Sequence, residues 1–294
     1  MPYKAGSHTY ELHKGWGDLP DGYQFHRVAG VATDAEDNVY VFNRSPQKML
    51  IFEPNGAFKS DWDAFFKVPH GIAIDSEGNV YTADVGTHVV EKHAPWGGLM
   101  MTLGTRDEPS DTGRSEGFLV ERAADPFNMC CAVAVNDAGE IFVADGYGNS
   151  RVHKFAPDGE LLLSWGKPGK GGPGEFHLPH GITIAMDGRL LICDRENNRI
   201  QIYDQDGNYL DMWDGFLQPT SIAQAPDGSF FVPELQHRVT VLDPDGGVIG
   251  RWGGERSREP GKFVAPHDIA VDSKGDVYVG EVLEGKRIQK FVRS

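Results

Sequence analysis

Three histidines occupy equivalent positions in a repeated sequence pattern. Their segments are Val68-Pro69-His70-Gly71-Ile72, Leu178-Pro179-His180-Gly181-Ile182 and Ala265-Pro266-His267-Asp268-Ile269. Each histidine opens a short apolar run that ends 14 positions later in an acidic residue: Asp84, Asp194 or Glu281. A metal ion bound by three neutral imidazoles keeps a fourth coordination position open. Three protein ligands with one open position are typical of a catalytic zinc ion. Imidazole also suits copper, nickel, cobalt and iron, so the pattern predicts a metal tripod without fixing its metal.

The same pattern fits the chain three more times without a histidine, beginning at Ala29, Cys131 and Thr220 and ending at Asn43, Asp145 and Glu234. The six copies start 40 to 61 residues apart, a period that is typical of propellers and solenoids. If six copies close into a ring, alternate copies lie about 120° apart. Copies two, four and six carry the histidines, so their imidazoles would point at one spot on the ring axis.

Each copy predicts four short β-strands. In the second copy we expect them at residues 72–75, 80–83, 89–92 and 99–103, with a turn at residues 76–79. Asp-Gly and Lys-Gly pairs recur at this turn and supply the positive φ that tight hairpins need: Asp187-Gly188, Asp227-Gly228 and Lys274-Gly275. No long window has the 3.6-residue helical period, which excludes a helical solenoid. The predicted fold is an all-β, six-bladed β-propeller with four-stranded blades.

The N-terminal segment supplies a strand that the last copy lacks. The fourth strand often ends in tryptophan, as at Trp62, Trp165, Trp213 and Trp252. The sixth copy ends at Phe291 without a fourth strand, whereas residues 10–17 resemble residues 162–166. We therefore expect the first strand to join the last blade and close the ring, which would protect the open sheet edges. Residues 1–294 are predicted to form a single domain.

Composition limits the partners and the compartment. The net charge is −15, from 28 basic and 43 acidic residues, which argues against nucleic acid or an anionic membrane as a partner. No stretch approaches the roughly 18 apolar residues of a membrane span, and the first 16 residues lack the apolar core of a signal peptide. Only three cysteines occur, two of them adjacent, which favours reduced thiols. We expect a cytoplasmic monomer, with export of a longer form left open.

Alternating strand directions place the start of the first strand and the end of the second strand on one face. Arg44, Tyr147 and Arg195 follow the second strand of their copies, so we expect them on this face, at the mouth of the central channel. Arg44 offers a bidentate fork for a substrate carboxylate, or forms a surface salt bridge. Tyr147 is either a general base whose pKa the metal lowers or a packing tyrosine. Arg195 is predicted to bind substrate as well, whereas Arg151 and Arg199, which share an Asn-x-Arg pattern, are expected to brace the backbone.

Two further features lie at the same mouth. Cys131 occupies the histidine position of the third copy, as a soft fourth metal ligand or as a small buried apolar residue. Residues 104–129 form the longest connection between copies. Their polar composition fits a mobile lid over the mouth or a disordered insertion.

In these segments the chain resembles the NHL repeat and, more narrowly, the catalytic core of peptidyl-α-hydroxyglycine α-amidating lyase. The similarity extends from about Val28 to Phe291. The matching segments are Val28-Ala29-Gly30-Val31-Ala32, Pro69-His70-Gly71, Asp145-Gly146-Tyr147-Gly148-Asn149-Ser150-Arg151, Asp194-Arg195-Glu196-Asn197 and Pro266-His267-Asp268-Ile269. The three histidines together with Arg44 and Tyr147 are the specific part of the match.

The resemblance implies a role for each of these residues. His70, His180 and His267 would bind zinc, Tyr147 would be the catalytic base, and Arg44 would hold the substrate. A structural calcium ion would take backbone oxygens of Val31 and Ile72 and the carboxylate of Asp268, since calcium prefers oxygen ligands. The implied reaction is metal-assisted cleavage of the C–N bond of an N-substituted α-hydroxyglycine, a small molecule bearing a carboxylate, to an amide and glyoxylate.

The sequence departs from the family pattern beside the predicted site. Ala265 stands where the family has a methionine next to the third histidine, and Gly148 stands where it has a disulfide cysteine. No secretion signal or fused copper monooxygenase accompanies the repeats, so we expect a small N-acyl, N-carbamoyl or N-alkyl hydroxyglycine as substrate, and not a peptide hormone precursor.

Two other functions fit the same scaffold. One is a metal-dependent hydrolase such as a lactonase, although propeller lactonases usually present carboxylates to an axial calcium, and this chain presents imidazoles. The other is a non-catalytic NHL-repeat interaction module, which would need an exposed basic or apolar face and no metal tripod.

Overall fold

The computed structural model describes residues 2–62, 64–115 and 118–294. Six four-stranded blades are arranged as a β-propeller, which confirms the predicted fold class. Within the described residues the one helical element is a 3₁₀ turn, Arg195–Asn197, and no helix there is long and apolar enough to cross a membrane.

The strands follow the order of the repeats. The chain begins with β1 (Tyr3–Ala5) and β2 (His8–His13). The first blade contains β3 (Val28–Thr33), β4 (Val39–Asn43), β5 (Met49–Phe52) and β6 (Phe58–Trp62). The second contains β7 (Pro69–Ile74), β8 (Val80–Asp84), β9 (Val89–His93) and β10 (Leu99–Leu103). The third contains β11 (Cys130–Val135), β12 (Ile141–Asp145), β13 (Arg151–Phe155) and β14 (Leu161–Trp165).

A short parallel pair, β15 (Lys167–Pro168) and β16 (Glu175–Phe176), precedes the fourth blade. The fourth blade contains β17 (Pro179–Ile184), β18 (Leu190–Asp194), β19 (Arg199–Tyr203) and β20 (Tyr209–Asp214). The fifth contains β21 (Ala223–Gln224), β22 (Phe230–Glu234), β23 (Arg238–Leu242) and β24 (Val248–Gly253). The sixth is built on β25 (Pro266–Val271), β26 (Val277–Glu281) and β27 (Arg287–Arg293).

These blades fall into two compact units. One comprises Met1–Ala64 and Thr220–Ser294 and holds the first, fifth and sixth blades. The other, Phe65–Pro219, holds the second, third and fourth blades. The single domain expected for residues 1–294 stays a prediction.

The first hairpin of each blade is fixed by its turn residues. In the second blade, Asp75 accepts hydrogen bonds from the backbone N–H groups of Glu77 (3.0 Å) and Asn79 (2.8 Å). Gly78 closes this turn with φ = 82°, a conformation that costs other residues steric strain. Polar turn chemistry therefore sets the register of the two inner strands, as the sequence pattern indicated.

The N-terminal strand completes the last blade. β2 pairs antiparallel with β27, with Leu12 opposite Phe291. The strand ends at His13, earlier than the predicted residue 17, because Gly15 and Gly17 take positive φ values of 75° and 96° that break the extended chain. A fifth strand that the sequence pattern did not indicate, β1, pairs with the outer edge of β2.

Tyr10 anchors this closing strand in the core. Its side chain is fully buried and packs against Phe231 and Trp252, with ring centroids 5.7 and 5.0 Å away. Its hydroxyl has no hydrogen-bond partner within the described part of the chain. The aromatic ring therefore supplies the stabilisation, since a buried unpaired hydroxyl opposes folding.

We expect Tyr10→Ala to lower the free energy of unfolding by about 3–5 kcal/mol, because it leaves a cavity under the closing strand. Tyr10→Phe keeps the ring and removes only the buried hydroxyl, so its stability should stay within about 1 kcal/mol of the wild type. Urea denaturation measures both, with the exposed Glu11→Ala as the control on the same strand. A Tyr10→Phe loss as large as that of Tyr10→Ala would contradict this assignment.

Candidate metal centre

Each predicted histidine lies in a β-bulge at the start of an inner strand. In the second blade, Pro69 pairs with Asp84 and the ladder resumes at Ile72, opposite Thr82, so His70 falls in the irregular step. The fourth and sixth blades have the same interruption around His180 and His267. A bulge turns a side chain away from the regular alternation of a strand. The sequence pattern gave no sign of these bulges.

The acidic residue that follows 14 positions later fixes the segment leading into the histidine. The Asp84 carboxylate accepts the backbone N–H groups of Lys67 (2.6 Å) and Val68 (2.9 Å). Asp194 likewise accepts the N–H of His177 (2.8 Å), and Glu281 accepts that of Val264 (2.6 Å). The recurring donor is three positions before the histidine. The repeated 14-residue spacing therefore reflects a backbone clamp, a role that the sequence alone did not indicate.

Backbone carbonyls orient two of the imidazoles. Nδ1 of His70 lies 2.7 Å from the carbonyl oxygen of Cys131, and Nδ1 of His267 lies 2.9 Å from that of Ala29. A carbonyl oxygen only accepts, so Nδ1 donates in both rings, which in a neutral imidazole leaves the lone pair on Nε2. Cys131 and Ala29 occupy the histidine position in two copies that lack a histidine. These two copies thus provide the carbonyl oxygens that orient His70 and His267.

His70, His180 and His267 form a buried group in which one ring nitrogen of each lies within 4.8 Å of the others. The ring centroids of His70 and His180 are 4.7 Å apart. Neutral imidazoles are the ligands that zinc takes in catalytic sites, and a carbonyl acceptor at Nδ1, as in His70 and His267, orients the ring. The residues present therefore fit a zinc ion.

Cys131 contributes to this centre through its backbone. Its thiol lies 3.7 Å from the carbonyl oxygen of Met129, and burial raises the pKa of the thiol to about 12. The Cys131 thiol is not among the ligand atoms of the histidine group, which lie within 4.8 Å of one another. Of the two roles open to Cys131, the structure favours the small buried residue.

Tyr147 joins the histidines to a buried arginine. Its hydroxyl oxygen lies 3.3 Å from Nε2 of His70 and 3.3 Å from Nε2 of His180. Arg195 donates to the same oxygen from Nη1 at 3.1 Å, and its Nε donates to Glu196 at 2.9 Å. Burial would lower the pKa of Arg195, but Tyr147 and Glu196 outweigh it and leave that pKa raised. Arg195 is therefore a fixed cation beside the phenol.

Arg199 and Arg151 brace the backbone, as expected. Arg199 donates to the carboxylate of Asp194 at 2.7 Å and to the carbonyl oxygens of Gly171 and Glu175 at 2.5 and 2.7 Å. Arg151 donates to the carbonyl oxygen of Ser164 at 3.1 Å.

Asp268, predicted as a calcium ligand, accepts hydrogen bonds from the Ser221 side chain and from backbone N–H groups. It accepts the N–H of Val31 at 2.8 Å. Desolvation raises the pKa of its carboxyl to about 6, although the residue keeps some exposure. The calcium site formed with Val31 and Ile72 stays a prediction.

Arg44 follows β4 directly, and its backbone N–H donates to the carbonyl oxygen of Arg27 at 3.0 Å. Its side chain is partly buried. The substrate-binding role of Arg44 stays a prediction.

A functional candidate that sequence analysis missed lies in the connection of residues 104–129, of which residues 116 and 117 lie outside the described residues. Phe118 contacts Tyr147, with ring centroids 5.8 Å apart, and the guanidinium of Arg195 lies 5.2 Å from the Phe118 ring. The connection carries no strand in its described part. Whether it acts as a lid stays a prediction.

Comparison with known proteins places this propeller in a family. Residues 66–91, 127–155, 176–203 and 263–291 match the NHL repeat. The chain is 33% identical over 303 residues to human NHL repeat-containing protein 3, covering 96% of this chain and 84% of that protein. It is 31% identical over 303 residues to peptidyl-alpha-hydroxyglycine alpha-amidating lyase 2 of Drosophila melanogaster, covering 91% of this chain and 68% of the relative.

The chain belongs to the NHL-repeat family that includes these two proteins. Among solved structures, a streptogramin B lyase superposes with a TM-score of 0.63 at 15% identity, covering 99% of this chain and 100% of that one. At this identity the likeness concerns the fold alone.

We expect the wild-type protein to bind about one zinc ion per chain and His180→Ala to bind well below one, because the variant removes one of three nitrogen ligands. Elemental analysis after dialysis against zinc measures this. His177→Ala, three residues away and outside the histidine group, is the matched control and should keep its zinc. Equal zinc content in His180→Ala and the wild type would contradict the tripod.

Proposed function

We propose that this protein is a zinc-dependent lyase that cleaves the C–N bond of an N-substituted α-hydroxyglycine and releases an amide and glyoxylate. The observation that carries the proposal is the Tyr147 hydroxyl, 3.3 Å from Nε2 of both His70 and His180 and 3.1 Å from Arg195. Membership in a family that includes amidating lyases supports the same chemistry.

The reaction needs one proton to move between two atoms of the substrate. The hydroxyl proton leaves, the oxygen becomes the aldehyde oxygen of glyoxylate, the C–N bond breaks, and the amide nitrogen gains a proton. No external oxidant or water is consumed. A single group that takes the hydroxyl proton and returns it to nitrogen is therefore sufficient.

Tyr147 is the proposed carrier of this proton, at its phenolic oxygen. Arg195 stabilises the phenolate, since a guanidinium 3.1 Å away favours the charged form of an acid. A zinc ion held by the three histidines would supply Lewis-acid polarisation of the substrate oxygen. Arg44 is proposed to bind the substrate carboxylate with its guanidinium fork, which sets the position of the reactive carbon.

The remaining parts of the proposal concern the second ion, the substrate and the location. We propose that a calcium ion bound by Asp268 with backbone oxygens of Val31 and Ile72 stabilises the fold. The substrate is a small molecule bearing a carboxylate, and the protein acts as a monomer. A cytoplasmic location is supported by three buried cysteines that form no disulfide.

We expect Tyr147→Phe to lower kcat by at least about 100-fold, because the proton carrier is lost, while zinc stays bound. Glyoxylate release from an N-acyl-α-hydroxyglycine measures turnover, and elemental analysis measures zinc. Tyr209→Phe, on an outer strand, should behave as the wild type. Full activity of Tyr147→Phe would rule out the assigned role.

We expect Arg44→Ala to lower kcat/KM by about 100-fold or more and Arg44→Lys to recover only part of it, since an ammonium cannot form the bidentate contact. The exposed neighbour Arg27→Ala is the control. Product analysis by mass spectrometry separates the alternatives: amide plus glyoxylate supports the lyase, whereas a ring-opened acid from lactones would support a hydrolase. A protein that binds no metal and turns over neither substrate would instead be an interaction module.

A further inference from the structure

The connection that carries Phe118 is fixed to the segment that carries Tyr147. The Thr112 hydroxyl donates to the carbonyl oxygen of Gly148 at 2.5 Å, and the backbone N–H of Gly148 donates to the carbonyl oxygen of Asn128 at 3.0 Å. A Cβ atom at position 148 would lie 2.1 Å from Oδ1 of Asn128. Only glycine therefore permits this close approach.

Phe118 covers one side of Tyr147 and Arg195 and keeps an apolar surface exposed there. Its ring lies edge-on to Tyr147 at 5.8 Å and 5.2 Å from the guanidinium of Arg195. The Arg195 side chain is only 5% exposed, whereas Phe118 is 39% exposed. The exposed part of this ring, beside Tyr147 and Arg195, offers a contact for an apolar ligand group.

We propose that Phe118 determines substrate specificity by forming an apolar wall for the acyl group on the substrate nitrogen. The assignment rests on the proposed lyase activity. The reactive hydroxyl must approach the Tyr147 oxygen to transfer its proton, and the acyl carbon lies two covalent bonds from the reactive carbon, about 2.5 Å. The rest of the acyl group then lies close to Tyr147, on the side where Phe118 packs.

The substrate class that follows is an N-acyl-α-hydroxyglycine whose acyl group is apolar, and an aromatic one fits best. A flat ring can take the offset or edge-on geometry that aromatic pairs prefer. A charged acyl group would lose its hydration against this wall without gaining a partner from it.

The experiment compares kcat/KM for N-benzoyl-α-hydroxyglycine and N-acetyl-α-hydroxyglycine in the wild type, Phe118→Ala, Phe118→Leu and Leu119→Ala. We expect Phe118→Ala to lower the benzoyl-to-acetyl ratio by about tenfold, and Phe118→Leu to restore part of it. Leu119 is the matched control, because it is adjacent and similarly exposed, at 40%. Its variant should change the ratio less than about threefold, and zinc content should stay constant throughout.

A second measurement separates this inference from the lyase proposal. Isothermal titration calorimetry with the unreactive N-benzoylglycine and N-acetylglycine should give tighter binding of the benzoyl compound to the wild type, and Phe118→Ala should abolish that difference. If binding follows this pattern without any glyoxylate release, the lyase proposal fails and the apolar wall stands. If Phe118→Ala leaves the benzoyl preference intact, or lowers turnover of both substrates equally, the specificity role is overturned.

Discussion

A buried side-chain acceptor at the end of the second strand is the interaction on which the three-histidine group depends. Asn43, Asp84, Asp145, Asp194 and Glu281 each accept a backbone N–H from the residue three positions before the histidine position of their blade. Without that clamp, the chain entering the inner strand would have unpaired buried N–H groups. The clamp fixes where the inner strand begins, and the bulge that follows fixes where the histidine points.

Much of the fold could be predicted from the sequence because its signals are local. Hairpin turns of Asp and Gly and the terminal tryptophans mark strand ends, and spacing alone groups His70, His180 and His267. The bulges could not be predicted, since they depend on which partners pair across a ladder. The carbonyl groups of Cys131 and Ala29 that orient two imidazoles also leave no trace in side-chain identity. Strand β1 could not be predicted, because a strand of three residues is too short to show an alternating pattern.

Part of the candidate site could be predicted because some of its residues follow the repeat. Tyr147 and Arg195 follow the ends of second strands at the expected offset, and the structure brings them together with His70 and His180. Phe118 lies in an irregular connection, where no periodic pattern relates a residue to its neighbours in space. Its contact with Arg195 depends on how the connection folds over the Tyr147 segment, which is a tertiary property.

Gly148 lies where the segment after β12 meets the connection of residues 104–129, beside the candidate site. The resemblance to the amidating lyases implies a disulfide cysteine at this position, whereas here Asn128 and Thr112 pack on the bare backbone of Gly148. A seam made of hydrogen bonds and close packing holds equally well in reducing and oxidising surroundings. It is also reversible on the timescale of local opening. Thr112, Asn128 and Gly148 thus hold the two segments together without redox chemistry.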